Sequence, residues 1–219
     1  MSLKKKPQPL FPLSKTLSDK VTHTDQKKDN LAVIIGDLDS LSSEACLYFK
    51  NGSSSPTKTE VIHRPDQDST DFAKAVDYVR ERHGLPLDIV AVGGLGGRVD
   101  QGLSQLHHLQ LYQQCPRYSE GRMYLYNTEN LTFVLKAGRH EIRVREDDQS
   151  EDVFEKWVGI LPVGEPSQIT TKGLEWDVTD WQTKFGGRIS TSNHILPDTR
   201  VVEVRTTKDV LFTVALRKR

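Results

Sequence analysis

Cysteine is nearly absent: only Cys46 and Cys115 occur in 219 residues. That excludes a secreted disulfide framework and a cysteine-based zinc site, and both thiols are expected to be reduced and structural. An excess of one charge is lacking too. Thirty Lys and Arg stand against thirty Asp and Glu, so no global field draws the chain to nucleic acid or to an anionic membrane. Any anion site must be local. No apolar stretch approaches the roughly 20 residues that span a bilayer, and the first residues lack the apolar core of a signal peptide. The expectation is a soluble, cytoplasmic protein with no nucleic-acid or membrane partner. The seven histidines are scattered, and neighbours such as His107 and His108 cannot point the same way from a helix.

What is present divides the chain into three stretches. Residues 1–30 carry Lys4-Lys5-Lys6 and the prolines Pro7, Pro9 and Pro12, and read as a mobile tail. Residues 31–122 alternate strand and helix patterns. The apolar run Leu31–Ile35 precedes a helix or turn over Ser42–Phe49, and the loop Asn51–Pro56 leads to a strand Glu60–His63. A helix then carries Phe72, Val76 and Val79 and ends at Gly84. A strand Leu87–Val92 and a helix Gln101–Gln114 complete the series. This alternation predicts βαβ units and a parallel, Rossmann-like α/β sheet. Residues 123–219 change to short strands between turns, among them Tyr124–Tyr126, Asn130–Leu135, His140–Arg145, Val201–Arg205 and Val210–Leu216, which predicts an all-β antiparallel sandwich. The polar run Arg145–Glu155 is expected to be an exposed loop.

Three strand ends carry residues suited to chemistry. Gly36-Asp37-Leu38-Asp39-Ser40 follows the first apolar run. In an extended segment positions i and i+2 project to one side, so Asp37 and Asp39 can share a cation; a plain turn explains the same residues. Asp68 and Asp71 stand at the start of a helix, where they serve either a phosphate site or, with Ser69, helix capping. The segment Gly93–Asp100, with Gly96, Gly97 and Arg98, lets backbone approach a phosphate, although it meets neither the P-loop nor the dinucleotide pattern. Taken together, hard carboxylate oxygens and a basic, glycine-rich turn suit Mg²⁺ and a phosphoryl or pyrophosphoryl transfer.

Over residues 31–219 the chain resembles thiamine pyrophosphokinase. The matching pieces are Gly36–Ser40, Pro65–Phe72, Gly93–Asp100, Gly159–Gly164, Thr171–Asp177 and Ser190–Asn193. The resemblance implies transfer of pyrophosphate from ATP to thiamine, giving thiamine diphosphate and AMP. It also implies Mg²⁺ and a homodimer with thiamine held at the subunit interface. By similarity Asp37, Asp39 and Asp71 hold Mg²⁺ and phosphates with Asp68 close by, one carboxylate being available to accept the alcohol proton. Gln67 meets thiamine, and Arg98 and Asp100 lie beside the nucleotide. Trp176, Ser190 and Asn193 form the thiamine wall: an indole face attracts a cationic ring, while a hydroxyl and an amide suit the pyrimidine edge. Core packing and turn formation are the local alternatives for these three.

Family members carry an earlier α/β unit with an Ala-Asp-Gly-Gly/Ala-Asn segment, and residues 1–30 hold nothing similar. The expectation is a shortened chain or a paralogue missing part of its nucleotide pocket, with a strand edge left unpaired. Such a relative binding thiamine without turnover is the alternative function. An Asp-x-Asp phosphatase is the third reading, but that class expects Thr or Val where this chain has Leu41.

Overall fold

The computed structural model describes residues 31–51, 59–146 and 152–218. They divide into two compact units between Leu87 and Asp88. The expected tail and most of the expected loop at Asn51–Pro56 lie outside the described residues.

The first unit opens with β1 (Val33–Gly36), α1 (Ser43–Asn51), β2 (Glu60–His63) and α2 (Asp71–His83). β1 and β2 pair in parallel, from Val33 opposite Glu60 to Gly36 opposite His63. Parallel neighbours need a crossover, and α1 lies between them in sequence. Ser42 starts α1 by accepting the Ala45 N–H through its hydroxyl at 3.1 Å. Leu31–Ile35 read as a strand buried on both faces, yet Val33, Ile34 and Ile35 are half-buried, and β1 has one strand partner among the described residues. Neither Asp68 nor Ser69 caps α2. Thr70 takes that position in extended geometry and accepts the Ala73 N–H at 3.2 Å, because Ser69 is already engaged by Asp66. Gly84 closes α2 at φ 74°, where a side chain would be strained.

The second unit runs through β3 (Ile89–Val92), α3 (Val99–Tyr112), a short 3-10 turn at Arg117–Glu120, and β4 (Met123–Tyr126). It continues with β5 (Asn130–Leu135), β6 (Gly138–Arg143), β7 (Phe154–Pro162), β8 (Ser167–Lys172), β9 (Trp181–Thr183), β10 (Ser190–His194), β11 (Val201–Thr206) and β12 (Val210–Leu216). A six-stranded sheet has the order β10-β7-β12-β5-β4-β3, and a four-stranded sheet the order β6-β11-β8-β9. β3 lies parallel to β4, while β4 is antiparallel to β5. The six-stranded sheet therefore passes without a break through residues 122 and 123, where the sequence pattern changes. Among the described residues parallel pairing is confined to β1 with β2 and β3 with β4, so the α/β portion is mixed rather than one parallel sheet. Within the expected polar insertion, residues 147–151 lie outside the described residues, and β7 already begins at the buried Phe154.

Alternation along the strands builds the sandwich core. Leu131, Phe133 and Leu135 of β5, Val158 and Ile160 of β7, and Val210, Phe212 and Val214 of β12 meet Ile142, Ile169, Val202 and Val204 from the other sheet. None of the described helices is long and apolar enough to cross a membrane.

His140 of β6 is packed beside this core, with Nε2 2.6 Å from the Lys136 carbonyl oxygen. Burial, reinforced by the Arg122 charge, pushes its pKa below the ordinary histidine range against the opposing pull of that carbonyl and of Asp209. The unfolded chain therefore takes up a proton at this site first, so stability falls as the pH drops through about 6.5. Thermal unfolding midpoints at pH 7.5 and 5.5 should show the decline. His140→Gln should flatten it, and an unchanged slope in the variant would contradict the assignment.

Candidate active site

In the first unit the chain turns directly after β1. Leu38 is left-handed at φ 63°, so the segment is not extended and simple alternation does not unite Asp37 with Asp39. A side-chain turn does so instead: the Asp39 N–H donates to Asp37 Oδ1 at 3.2 Å. The turn and site readings of this motif thus describe the same backbone. The Asp37 N–H donates in turn to Asp71 Oδ1 at 3.1 Å, joining the β1 loop to the start of α2. Gly36 makes this approach possible, since a Cβ there would lie 2.7 Å from the Asp71 carboxyl carbon.

Two further side chains complete the arrangement. Gln67 Nε2 donates to Asp37 Oδ2 at 3.2 Å, and Lys74 Nζ donates to Asp71 Oδ1 at 3.2 Å. Asp66 shapes the intervening loop by accepting the Asp68 N–H at 3.0 Å and the Ser69 N–H at 3.1 Å, while Asp68 stays exposed. The Asp39 N–H, helped by Gln67 and Lys74, holds the Asp37 carboxyl below the usual range against a small cost of burial. Asp66 is lowered likewise, chiefly by the Ser69 hydroxyl. The cluster therefore offers ionised oxygens at neutral pH. Among the described residues no group of three or more His, Cys, Asp or Glu is arranged to hold a metal ion.

In the second unit the glycine-rich turn links β3 to α3. Gly93 and Gly97 sit at φ 83° and 69°. Asn127 Nδ2 anchors the turn by donating to the Leu95 carbonyl at 2.8 Å. No atom lies within 4 Å of where a Cβ would stand on Gly96 or Gly97, which leaves that backbone open to a ligand. Arg98 forks onto Asp100, Nε to Oδ1 at 3.1 Å and the terminal nitrogen to Oδ2 at 2.5 Å. This pairing lowers the Asp100 pKa and orients Arg98 at the start of α3.

The sandwich contributes an aromatic surface in which Trp176 is 55% exposed. Asn193 is buried, and its amide is spent on the backbone of Trp176. Oδ1 accepts the Trp176 N–H at 3.1 Å and Nδ2 donates to the Trp176 carbonyl at 2.9 Å. It thus positions the indole. Ser190 stands at the other end of an irregular stretch of β10, where Ser192 is left-handed at φ 56°. His194, which the sequence reading did not single out, lies against both Trp176 and the half-exposed Trp157, with ring centroids 4.9 and 4.3 Å away. Its Nδ1 pairs with Glu175. The detectable signal was adjacency, since His194 follows Asn193 and Glu175 precedes Trp176.

The comparisons coincide with these features. Residues 17–118 match the family model "Thiamin pyrophosphokinase, catalytic domain", and residues 139–211 match "Thiamin pyrophosphokinase, vitamin B1 binding domain". Thiamine pyrophosphokinase 2 of Arabidopsis thaliana is 34% identical over 193 residues, covering 85% of this chain and 66% of that protein. The chain belongs to the thiamin pyrophosphokinase family. Thiamine pyrophosphokinase 3 of rice is 32% identical over 84% of this chain and 66% of its own length, so the chain spans just under two thirds of these plant relatives. The yeast thiamin pyrophosphokinase crystal structure superposes with a TM-score of 0.71 at 26% identity, covering 84% of this chain and 69% of that one. The Candida albicans protein gives 0.73 at 19% identity over 87% and 75%, which supports the fold. Asp37 through Asp100 fall inside the catalytic match, and Trp176, Ser190 and Asn193 inside the vitamin B1 match.

The Asn193 clamp carries a consequence for stability. Asn193→Leu leaves the Trp176 N–H and carbonyl without their partner and should cost about 1–3 kcal/mol. Urea unfolding followed by tryptophan fluorescence measures it, and wild-type stability would show the clamp to be dispensable.

Proposed function

We propose that this chain transfers the pyrophosphoryl group of ATP to the hydroxyethyl group of thiamine, giving thiamine diphosphate and AMP. The observation that carries the reading is the Asp37–Asp71 contact through Gly36, in a chain that also matches the family's vitamin B1 domain. Transfer of this kind asks the protein for positioning and charge neutralisation more than for covalent chemistry.

Carboxylate oxygens are the donors that a hard divalent cation takes, although among the described residues they are not gathered here into a group of three. Asp37 is kept ionised by the Asp39 N–H, and Asp71 is half exposed with Oδ1 engaged. Mg²⁺ held by Asp37, Asp39 and Asp71 would neutralise phosphate charge when bound. The chain's own residues do the rest. Asp37 and Asp71 present fixed oxygens, Asp68 adds a carboxylate beside them, and Gln67 keeps its amide oxygen for the thiamine side while its nitrogen holds Asp37. Gly96 and Gly97 let backbone reach a phosphate, and Arg98, oriented by Asp100, supplies the positive charge. The exposed face of Trp176, set by Asn193, receives the cationic thiazolium or the pyrimidine, with the Ser190 hydroxyl at its edge. The reading includes a homodimer with thiamine bound at the subunit interface, working in the cytoplasm.

Incubation with ATP, Mg²⁺ and thiamine should release AMP in proportion to thiamine added. Folded protein that releases none, while binding thiamine in calorimetry, would replace this reading with that of a binding protein. Asp71→Asn should lower turnover by about a hundredfold or more with an unchanged circular dichroism spectrum. Wild-type turnover would remove Asp71 from the site.

A further inference from the structure

Lys74 is the charged side chain of the acidic cluster that sequence reading passed over. It lies on α2 one turn after Asp71, and its side chain is only 3% exposed, whereas that of Asp71 is 51% exposed. A buried ammonium must be paired. The pairing here is with Asp71 Oδ1, 3.2 Å away, the same oxygen that accepts the Asp37 N–H. Lys74 thus grips Asp71 through Oδ1, while the carboxylate as a whole stays half exposed.

Two effects of opposite sign follow. Fixing one oxygen removes rotamer freedom from the carboxylate, which favours a productive geometry. A permanent positive charge behind the same carboxylate repels any second cation that approaches it. We propose that Lys74 is a positioning residue that fixes the Asp71 carboxylate through Oδ1 and keeps the carboxylate cluster from binding a bare divalent cation tightly, so that the cation enters together with the polyphosphate. The inference rests on the pyrophosphoryl-transfer reading for the identity of the polyphosphate. The electrostatic part stands on the contact itself.

The test uses Mn²⁺ alone as probe, titrated into the full chain without nucleotide and followed by loss of the free-ion electron paramagnetic resonance signal. Lys74→Met, of similar length and uncharged, should tighten Mn²⁺ binding by about tenfold. Its kcat should fall by at least about tenfold with the KM for thiamine unchanged. Lys74→Arg should keep the weak Mn²⁺ binding of the parent. Lys74→Gln, which offers Oδ1 a neutral donor, carries the same Mn²⁺ expectation as the methionine variant and replaces it in the titration if that variant does not fold. Unchanged or weaker Mn²⁺ binding in the folded neutral variant would overturn the inference, as would equally tightened binding in Lys74→Arg. Parent protein that forms no AMP counts against the transfer reading, and the titration still decides the role of Lys74.

Discussion

The contact on which the first unit depends is the hydrogen bond from the Asp37 N–H to Asp71 Oδ1. It ties the end of a parallel strand to the first residue of a helix, and it requires residue 36 to have no side chain. The rest of the cluster is arranged around it. Gln67 and Asp39 fix the orientation of Asp37, Lys74 fixes that of Asp71, and Asp66 shapes the loop that carries Gln67 to the pair. Carboxylates drawn together from two separate segments, Asp37 with Asp39 and Asp66 with Asp71, would repel one another if left unpaired. Here backbone N–H groups and one buried ammonium offset that repulsion.

The second unit solves a different problem with the same economy of polar groups. An exposed indole on a loop is a poor recognition surface unless its backbone is held. Asn193 holds it with two hydrogen bonds from a buried position, and the bridge between Leu174 and Ile195 with the Glu175 N–H to His194 carbonyl bond carries the same loop along β10. The sandwich core supplies the rigidity, because β7, the neighbour of β10, pairs on its other edge with β12 and buries Val158 and Ile160 in the core.

How much of this was legible in the chain depends on which force decides each element. β2, β5 and β12 have the bounds that local pattern predicts, because their apolar residues alternate or run together. β8 and β10 do not announce themselves, since Ser167–Lys172 and Ser190–His194 are mostly polar and become strands through their neighbours. At the site the residue types were readable, whereas the geometry was not. Leu38 adopts a left-handed turn that no propensity favours, Gly36 acts as a contact surface and not merely as a strand end, and Asn193 turns inward to the backbone. Lys74 carried no signal in the sequence, and only its burial sets it apart. The change of pattern at Met123 falls where pairing switches from parallel to antiparallel inside one sheet.

The central claim is that the chemistry depends on Asp71 being able to lie against residue 36. Gly36→Ala tests it most directly, by steady-state kinetics beside thiamine binding to the sandwich measured through tryptophan fluorescence. The predicted result is a fall in kcat of about a hundredfold with thiamine affinity unchanged. A folded alanine variant with wild-type kcat would contradict the account.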